Sequence, residues 1–218
     1  DADYLSELKK GQVVFGWIHA VQNKSITDKI LNNKLTAIAW EDMFEKGRHV
    51  FWRNNELAGE AAIMHAFTIY GKAPYECNVA LIGRGNVARG AYKILSCLGA
   101  NICIYDKKTE SLLREEISLY DVIVNGVLWD VYRKDHIIYI NDLEKMKKPA
   151  LIIDISCDRA GAIESSVPTT IEKPVYYFKG VLHYVVDHTP AMMNYTVTKV
   201  IGNELIKYID EIIEDKEE

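Results

Sequence analysis

The 218 residues carry 26 Lys and Arg against 31 Asp and Glu, a formal net charge of -5, with 49% hydrophobic and 26% charged residues. This is globular composition with enough apolar residues for a core, and the acidic balance argues against a nucleic-acid backbone or an anionic membrane surface as main partner. No apolar run is long enough to cross a bilayer, and the polar N-terminus does not read as a signal peptide, so the chain reads as soluble.

In chain order, GQVVFGWIHA predicts a strand from its Val, Phe and Trp content. SITDKILNNK predicts a short helix capped by Ser25, with Asp28 three residues on in a near capping-box pattern. LTAIAWED predicts a second strand. After Asn54 and Asn55, apolar residues at helical spacing in ELAGEAAIMHAFTIYG predict a helix of about four turns that ends at Gly71. KAPYE then links to a regular alternation: strand 78–83, helix 86–98, strand 101–105, a short helix near 110–118, strand 121–127, a helix near 141–147 and strand 150–156. A loop rich in Ser, Pro and Thr follows, then a last strand and turn in VLHYVVDHTP and one long amphipathic helix over 194–214, with a fraying EDKEE tail. Continuous apolar strands alternating with helices predict a parallel sheet covered on both faces. The fold class is α/β, a Rossmann-type doubly wound parallel sheet with a partial second α/β domain.

The run from Gly83 to Ala88, GRGNVA, fits G-x-G-x-x-G/A where a strand turns into a helix. Gly83 permits the tight turn, Gly85 leaves room for a pyrophosphate beside the backbone, and Ala88 lets helix and strand approach. The helix that begins with Asn86 and Val87 presents free N–H groups to the phosphates, and its buried stripe is expected from Val87, Ala91, Ile94, Leu95 and Leu98. Asp106 ends the next strand, twenty-odd residues on, where a carboxylate accepts hydrogen bonds from ribose hydroxyls. An acid there repels a 2′-phosphate and favours NAD(H). Lys107 and Lys108 offset that repulsion, which keeps NADP(H) open. Arg84 reads equally as a phosphate contact and as a solvated loop residue.

Cys77, Cys97, Cys103 and Cys157 form no C-x-x-C pair and read as reduced core thiols of a cytoplasmic protein. His49, His65, His136 and His183 share no metal-ligand spacing, so no metal is expected and packing or solvent is the default for each. Tyr176, Tyr177 and Tyr184 alternate with apolar residues and read as packing on a sheet face.

The segments LKKGQVVFGWIHA, LTAIAWEDM, LAGEAAIMHAF, the glycine loop, LIIDISCDRAGAIESSVPTT and HYVVDHTPAMM occur in this order. So arranged, the chain resembles the alanine dehydrogenase and pyridine nucleotide transhydrogenase superfamily from about residue 8 to residue 205. Within it, GWIHA, DVIVNGV and AGAIESSVPTTIEKPVY are most similar to the N5-(carboxyethyl)ornithine synthases, while DISCD and DHTP also resemble the saccharopine dehydrogenases. The resemblance implies hydride transfer between a nicotinamide and the carbon of a C–N bond, in which an amino acid and a 2-oxo acid condense to an imine that is reduced, or the reverse.

Carried over residue by residue, the resemblance makes His19 the substrate-domain histidine that takes part in proton transfer and Asp158 the acid beside nicotinamide and substrate. It places His188 in the loop that closes over the nicotinamide ring, and Val127 and Ile155 as apolar cofactor contacts. Read from the residues alone, His188 could equally cap the Pro190 turn, and Asp154, inside its strand, reads as structural, holding a loop. The superfamily's N-terminal arginine and lysine, which bind the substrate carboxylate, find no match and would precede Asp1; the absence of an initial methionine points the same way. The expected domains are a substrate-domain remnant at 1–71, a dinucleotide-binding domain at 72–186, and a closing loop with a returning C-terminal helix at 187–218. The expected partners are a small-molecule amino acid and 2-oxo acid, with a homo-oligomer or an association with the missing N-terminal segment, and neither nucleic acid nor membrane. The alternative is a nucleotide-binding module or subunit that needs a separate N-terminal polypeptide for catalysis.

Overall fold

The computed structural model describes residues 3–214 apart from Gln22 and Val131. The described residues fall into two units, one running to Trp52 and joined by those from Ile201 onward, the other Arg53–Val200. In the first, a short 3-10 turn Asp3–Glu7 precedes β1 (Val13–Gly16), α1 (Lys24–Asn32) and β2 (Thr36–Ala39), and β1 pairs with β2 in parallel, Val13 opposite Thr36. α1 is capped by Asn23, whose side chain accepts from the N–H of Ile26, in place of the expected Ser25; Ser25 lies inside the first turn. A small hairpin follows, β3 (Phe44–Glu45) with β4 (Arg48–His49), which the sequence pattern did not predict. Its turn residues Lys46 and Gly47 both take positive φ, the geometry that matches the twist of a tight hairpin. Leu5, Ile18 and Ile30 form this unit's buried cluster.

The second unit begins with α2, Trp52–Tyr70, which starts ahead of Asn54 and takes both asparagines into its first turns. Then come β5 (Asn78–Ile82), α3 (Asn86–Cys97), β6 (Asn101–Tyr105), α4 (Glu110–Glu116), β7 (Val122–Asn125), β8 (Ala150–Asp154), β9 (Val175–Phe178) and β10 (Val181–Tyr184). The segment expected as a helix near 141–147 is a 3-10 turn, Ile140–Lys145, and the strands expected to reach 127 and 156 stop at Asn125 and Asp154. The sheet order is β6-β5-β7-β8-β10-β9, parallel throughout except that β9 runs antiparallel to β10. β9 was not expected as a strand; Tyr177 on it is exposed, while Tyr184 on β10 is fully buried.

Side chains alternate across this sheet. Val79 and Leu81 face a core completed by Ala62, Ile63 and Ala66 of α2 and Ala88, Ala91 and Leu95 of α3. Ala80 and Ile82 face the other, with Leu113 of α4 and Ile117. Both faces are therefore covered, as parallel strands require. The stripe expected on α3 is corrected at its end: Leu98, past the last turn, is exposed, and Gly90 takes a buried place that the pattern had not assigned. Gly90 is there because α2 crosses α3 at backbone contact; a Cβ on it would stand 1.9 Å from the carbonyl oxygen of Glu56. Around this crossing, Glu60 receives Arg53 at 2.6 Å and Lys93 at 3.0 Å, and these cations outweigh burial and hold its carboxyl below the usual range.

The C-terminal helix expected over 194–214 is two helices, α5 (Asn194–Leu205) and α6 (Ile209–Ile213). The break is visible in the ladder: the N–H groups of Lys207 and Tyr208 reach back three residues, to Glu204 and Leu205, in place of four. All four cysteines are free, yet Cys97 and Cys103 are exposed, contrary to the expectation of core thiols, because Cys97 closes α3 on its outer side and β6 is an edge strand. No helix is long and apolar enough to cross a membrane among the described residues.

Candidate functional site

The chain goes from β5 to β6 on one side and then to β7 on the other, so the strand order reverses at β5. Ligands of open α/β sheets bind outside the carboxyl ends of the strands at such a reversal. A cleft of about 340 Å³ lies there, lined by Gly83 and Gly85 after β5, Asp106 after β6, Gly126 and Val127 after β7, and Trp129 and Arg133 further along. Gly83 has φ +107, which excludes other residues, and its would-be Cβ points at Val127 3.1 Å away. Gly85 has nothing within 4 Å of its Cβ position, so the backbone there lies bare to the cleft. Asn86 and Val87 open α3, whose cap Gly85 has no side chain to satisfy the first N–H groups; such an end attracts an anion.

Asp106 is held in place before any ligand arrives. One oxygen accepts the N–H of Lys108 at 3.0 Å, the other accepts Arg84 Nε at 3.0 Å, and the Arg84 guanidinium first, then that N–H, hold the carboxyl below its ordinary range. Arg84 is therefore neither a free solvated residue nor, in this geometry, aimed at a phosphate. Across the cleft, Arg133 pairs with Glu110 at 2.9 Å and stacks 4.4 Å above the Trp129 ring. Sequence reasoning missed Trp129, Arg133 and Glu110; the one signal was a tryptophan in the short apolar stretch that follows β7.

Asp158 and Ile155 lie on the loop after β8, and Ile155 packs against the core cluster of the α2 and α3 face. Burial first, then the charge of Asp154, pushes the Asp158 carboxyl up to about 6. That loop meets the cleft at Trp129: a Cβ on Gly161 would lie 2.6 Å from Asp158 Cβ and 3.2 Å from the Trp129 ring. His188 has a left-handed backbone, and its exposed imidazole lies 3.3 Å from Asp187. It caps the Pro190 turn only through its carbonyl, which accepts the N–H of Ala191. His19 belongs to the other unit, stacks on Trp17 and, with Ile18, donates its backbone N–H to the Glu41 carboxylate. His65 bonds the Tyr184 hydroxyl and His183 bonds Ser165, both as packing histidines. No cluster of metal-ligating side chains occurs among the described residues.

A doubly wound sheet with a glycine-lined cleft at its reversal point defines the class of Rossmann-type dehydrogenases. The family model "Alanine dehydrogenase/PNT, C-terminal domain" matches residues 106–218, and the chain belongs to the alanine dehydrogenase/PNT family. It is 32% identical to N(5)-(carboxyethyl)ornithine synthase of Lactococcus lactis subsp. lactis, in an alignment that takes in 94% of this chain and 69% of that protein. It is 28% identical to alanine dehydrogenase 1 of Staphylococcus aureus, over 94% of this chain and 65% of that one. Two solved structures share the fold: L-alanine dehydrogenase (TM-score 0.81, 20% identity, 98% of this chain and 69% of that one) and a transhydrogenase from Sinorhizobium meliloti (TM-score 0.81, 18% identity, 95% and 70%).

Proposed function

We propose that this chain is an oxidoreductase that moves hydride between a nicotinamide dinucleotide and the carbon of a C–N bond. Its substrate would be an amino acid or an opine-type secondary amine, formed from a 2-oxo acid and an amino acid or split in reverse. The observation that carries this reading is the bare backbone at Gly85 beside the open end of α3, with the Asp106 carboxylate across the same cleft. A diphosphate fits against those N–H groups and the ribose hydroxyls against Asp106. Bound there, the nicotinamide supplies the hydride.

The chain's own residues would then do the rest. Asp106 fixes the adenosine ribose and disfavours a 2′-phosphate, with Lys107 and Lys108 softening that preference, so NAD(H) is favoured and NADP(H) tolerated. Val127 and Ile155 offer apolar contact to the cofactor. Asp158, titrating near 6, holds or releases a proton close to neutrality and balances positive charge on nicotinamide or iminium. His19 meets the substrate carbonyl or carboxylate and shares in the proton transfer, and His188 closes the nicotinamide side.

A second reading, a nucleotide-binding subunit that borrows catalytic groups from another polypeptide, draws support from β1 and β2. They pair in parallel yet are only half-buried, whereas such strands are ordinarily covered on both faces. NADH oxidation with pyruvate or 2-oxoglutarate plus ornithine, lysine or ammonia tests both. Turnover by this chain alone supports the first reading; NADH binding without turnover in any combination leaves the second. His19→Ala is expected to remove turnover with NADH affinity intact, and full activity in that variant would show a packing role only.

A further inference from the structure

Past Asp106 the cleft is lined by Lys107, Glu110, Leu128, Trp129 and Arg133, and neither Ile155 nor Asp158 borders it. This part of it therefore falls to the adenosine half of a dinucleotide whose ribose Asp106 holds. Glu110 opens α4 four residues after Asp106, and it is Glu110 that grips Arg133, so the guanidinium stands on the ribose side. Arg133 is held by its edge. Nε and one Nη2 hydrogen go to Asp135 at 2.9 and 2.7 Å, while the other Nη2 hydrogen and one on Nη1 go to Glu110 at 2.9 and 3.0 Å. A guanidinium has five N–H groups, and these bonds leave one. One of its faces lies on the Trp129 ring, 4.4 Å from the centroid. The turn beneath is bonded too: Asp130 accepts the Arg133 N–H at its carbonyl and the Tyr132 N–H at its carboxylate, both at 2.9 Å.

With its edge bonded and one face on the indole, what Arg133 can offer the cleft is its other face. The side chain is 21% exposed, whereas Trp129 beneath it is 9% exposed. A guanidinium grips a phosphate through paired N–H groups, and here those are spent. A flat, weakly hydrated cation face stacks instead on a π-system, as arginine planes do under nucleic-acid bases. The four bonds and the indole fix the plane in advance, so a ring that settles on it costs little side-chain freedom. We infer that Arg133 is a platform for the purine ring of the nucleotide, touching the base by its face, with Trp129, Glu110 and Asp135 positioning it from below and from the edge. Arg133 in turn holds the Asp135 carboxyl down at about 2, so the clamp persists in mild acid.

This rests on the dinucleotide reading of the cleft, and ADP and inorganic diphosphate as probes keep the two ideas apart without turnover. Arg133→Lys keeps the charge and loses the plane. Calorimetry on that variant is expected to show ADP affinity about tenfold lower, the scale of one stacked base, with diphosphate affinity unchanged. Unchanged ADP affinity, or ADP and diphosphate weakened alike, overturns the platform. The wild-type chain provides a second measurement should Arg133→Lys fail to fold: the Nε–H signal of Arg133, held by Asp135 and assigned through Asp135→Asn. A purine stacked on the guanidinium shifts that signal upfield by ring current when ADP is added, and diphosphate does not. ADP bound with the signal unmoved removes the platform and leaves the nucleotide site standing. No ADP binding by the wild type defeats the site, and the platform with it.

Discussion

The two units of this chain solve the problem of a parallel sheet differently. In Arg53–Val200 every residue of β7, β8 and β10 is buried, and each face of the sheet has its own helices. In the N-terminal unit the whole parallel sheet is two strands, both half-buried, over a buried cluster of three residues. The first carries its own core and can hold a cleft rigidly at its strand ends; the second holds His19 against Trp17, with the buried Phe51 behind that ring, over a smaller set of buried apolar residues.

The largest effect should come from breaking the well-packed side. Gly90→Ala places a methyl 1.9 Å from one backbone atom of α2 and 2.7 Å from another, and backbone cannot rotate away as a side chain can. The helices must separate at a cost of about 3 kcal/mol or more, a fall of roughly 10 °C in melting temperature. A melt unchanged from wild type would mean the crossing is looser than the packing implies. Gly85→Val is its counterpart within the same unit. The position is open and its φ of -73° suits any residue, so stability should hold while the side chain fills the diphosphate space. NADH affinity is expected to fall about a hundredfold, near 3 kcal/mol, and normal titration by calorimetry would refute the assignment of the loop.

A smaller effect separates site from scaffold within the second unit. Asp158 is raised in the folded chain to about 6, above the ~4 of an unfolded aspartate. The folded state therefore binds the proton more tightly, and stability declines as pH rises through the window from about 4 to about 6. Asp158→Asn removes that penalty: it should gain about 1 kcal/mol at pH 7.5, discounted for its partial exposure, and nearly nothing at about pH 3. Equal melting shifts at the two pH values would show that the carboxyl is not strained by its surroundings.

What the sequence made legible follows from how local each constraint is. Gly83 and Gly85 announce themselves because the first takes a positive φ and the second leaves its backbone bare to the cleft, and β5, β7 and β8 because strands buried on both faces read as unbroken apolar runs. Trp129, Arg133 and Glu110 reach the cleft from an irregular loop and a helix start, where no period marks them. The break between α5 and α6 has neither Gly nor Pro at Ile206–Tyr208 to signal it. Cys103 was misjudged because its flanking apolar residues look like core, and only the strand order shows that β6 is an edge. Asp154 and Asp158 are both visible as letters; that the Asn125 amide and the Ser166 hydroxyl converge on the first depends on loops brought together across the sheet.

The smallest effect tests the comparison itself. Asn23→Ala deletes the side-chain acceptor for the Ile26 N–H at the start of α1, a loss of about 1 kcal/mol at a helix cap. If the N-terminal unit opens by itself, without the buried sheet, that loss should appear only there. Amide exchange of β1, α1 and β2 would quicken by about fivefold, while Val79–Ile82 and Val122–Asn125 would keep their protection. Equal acceleration in both sets would mean that the two units open together, and the weakly covered strands would then draw their stability from the same cooperative transition as the sheet that holds the cleft.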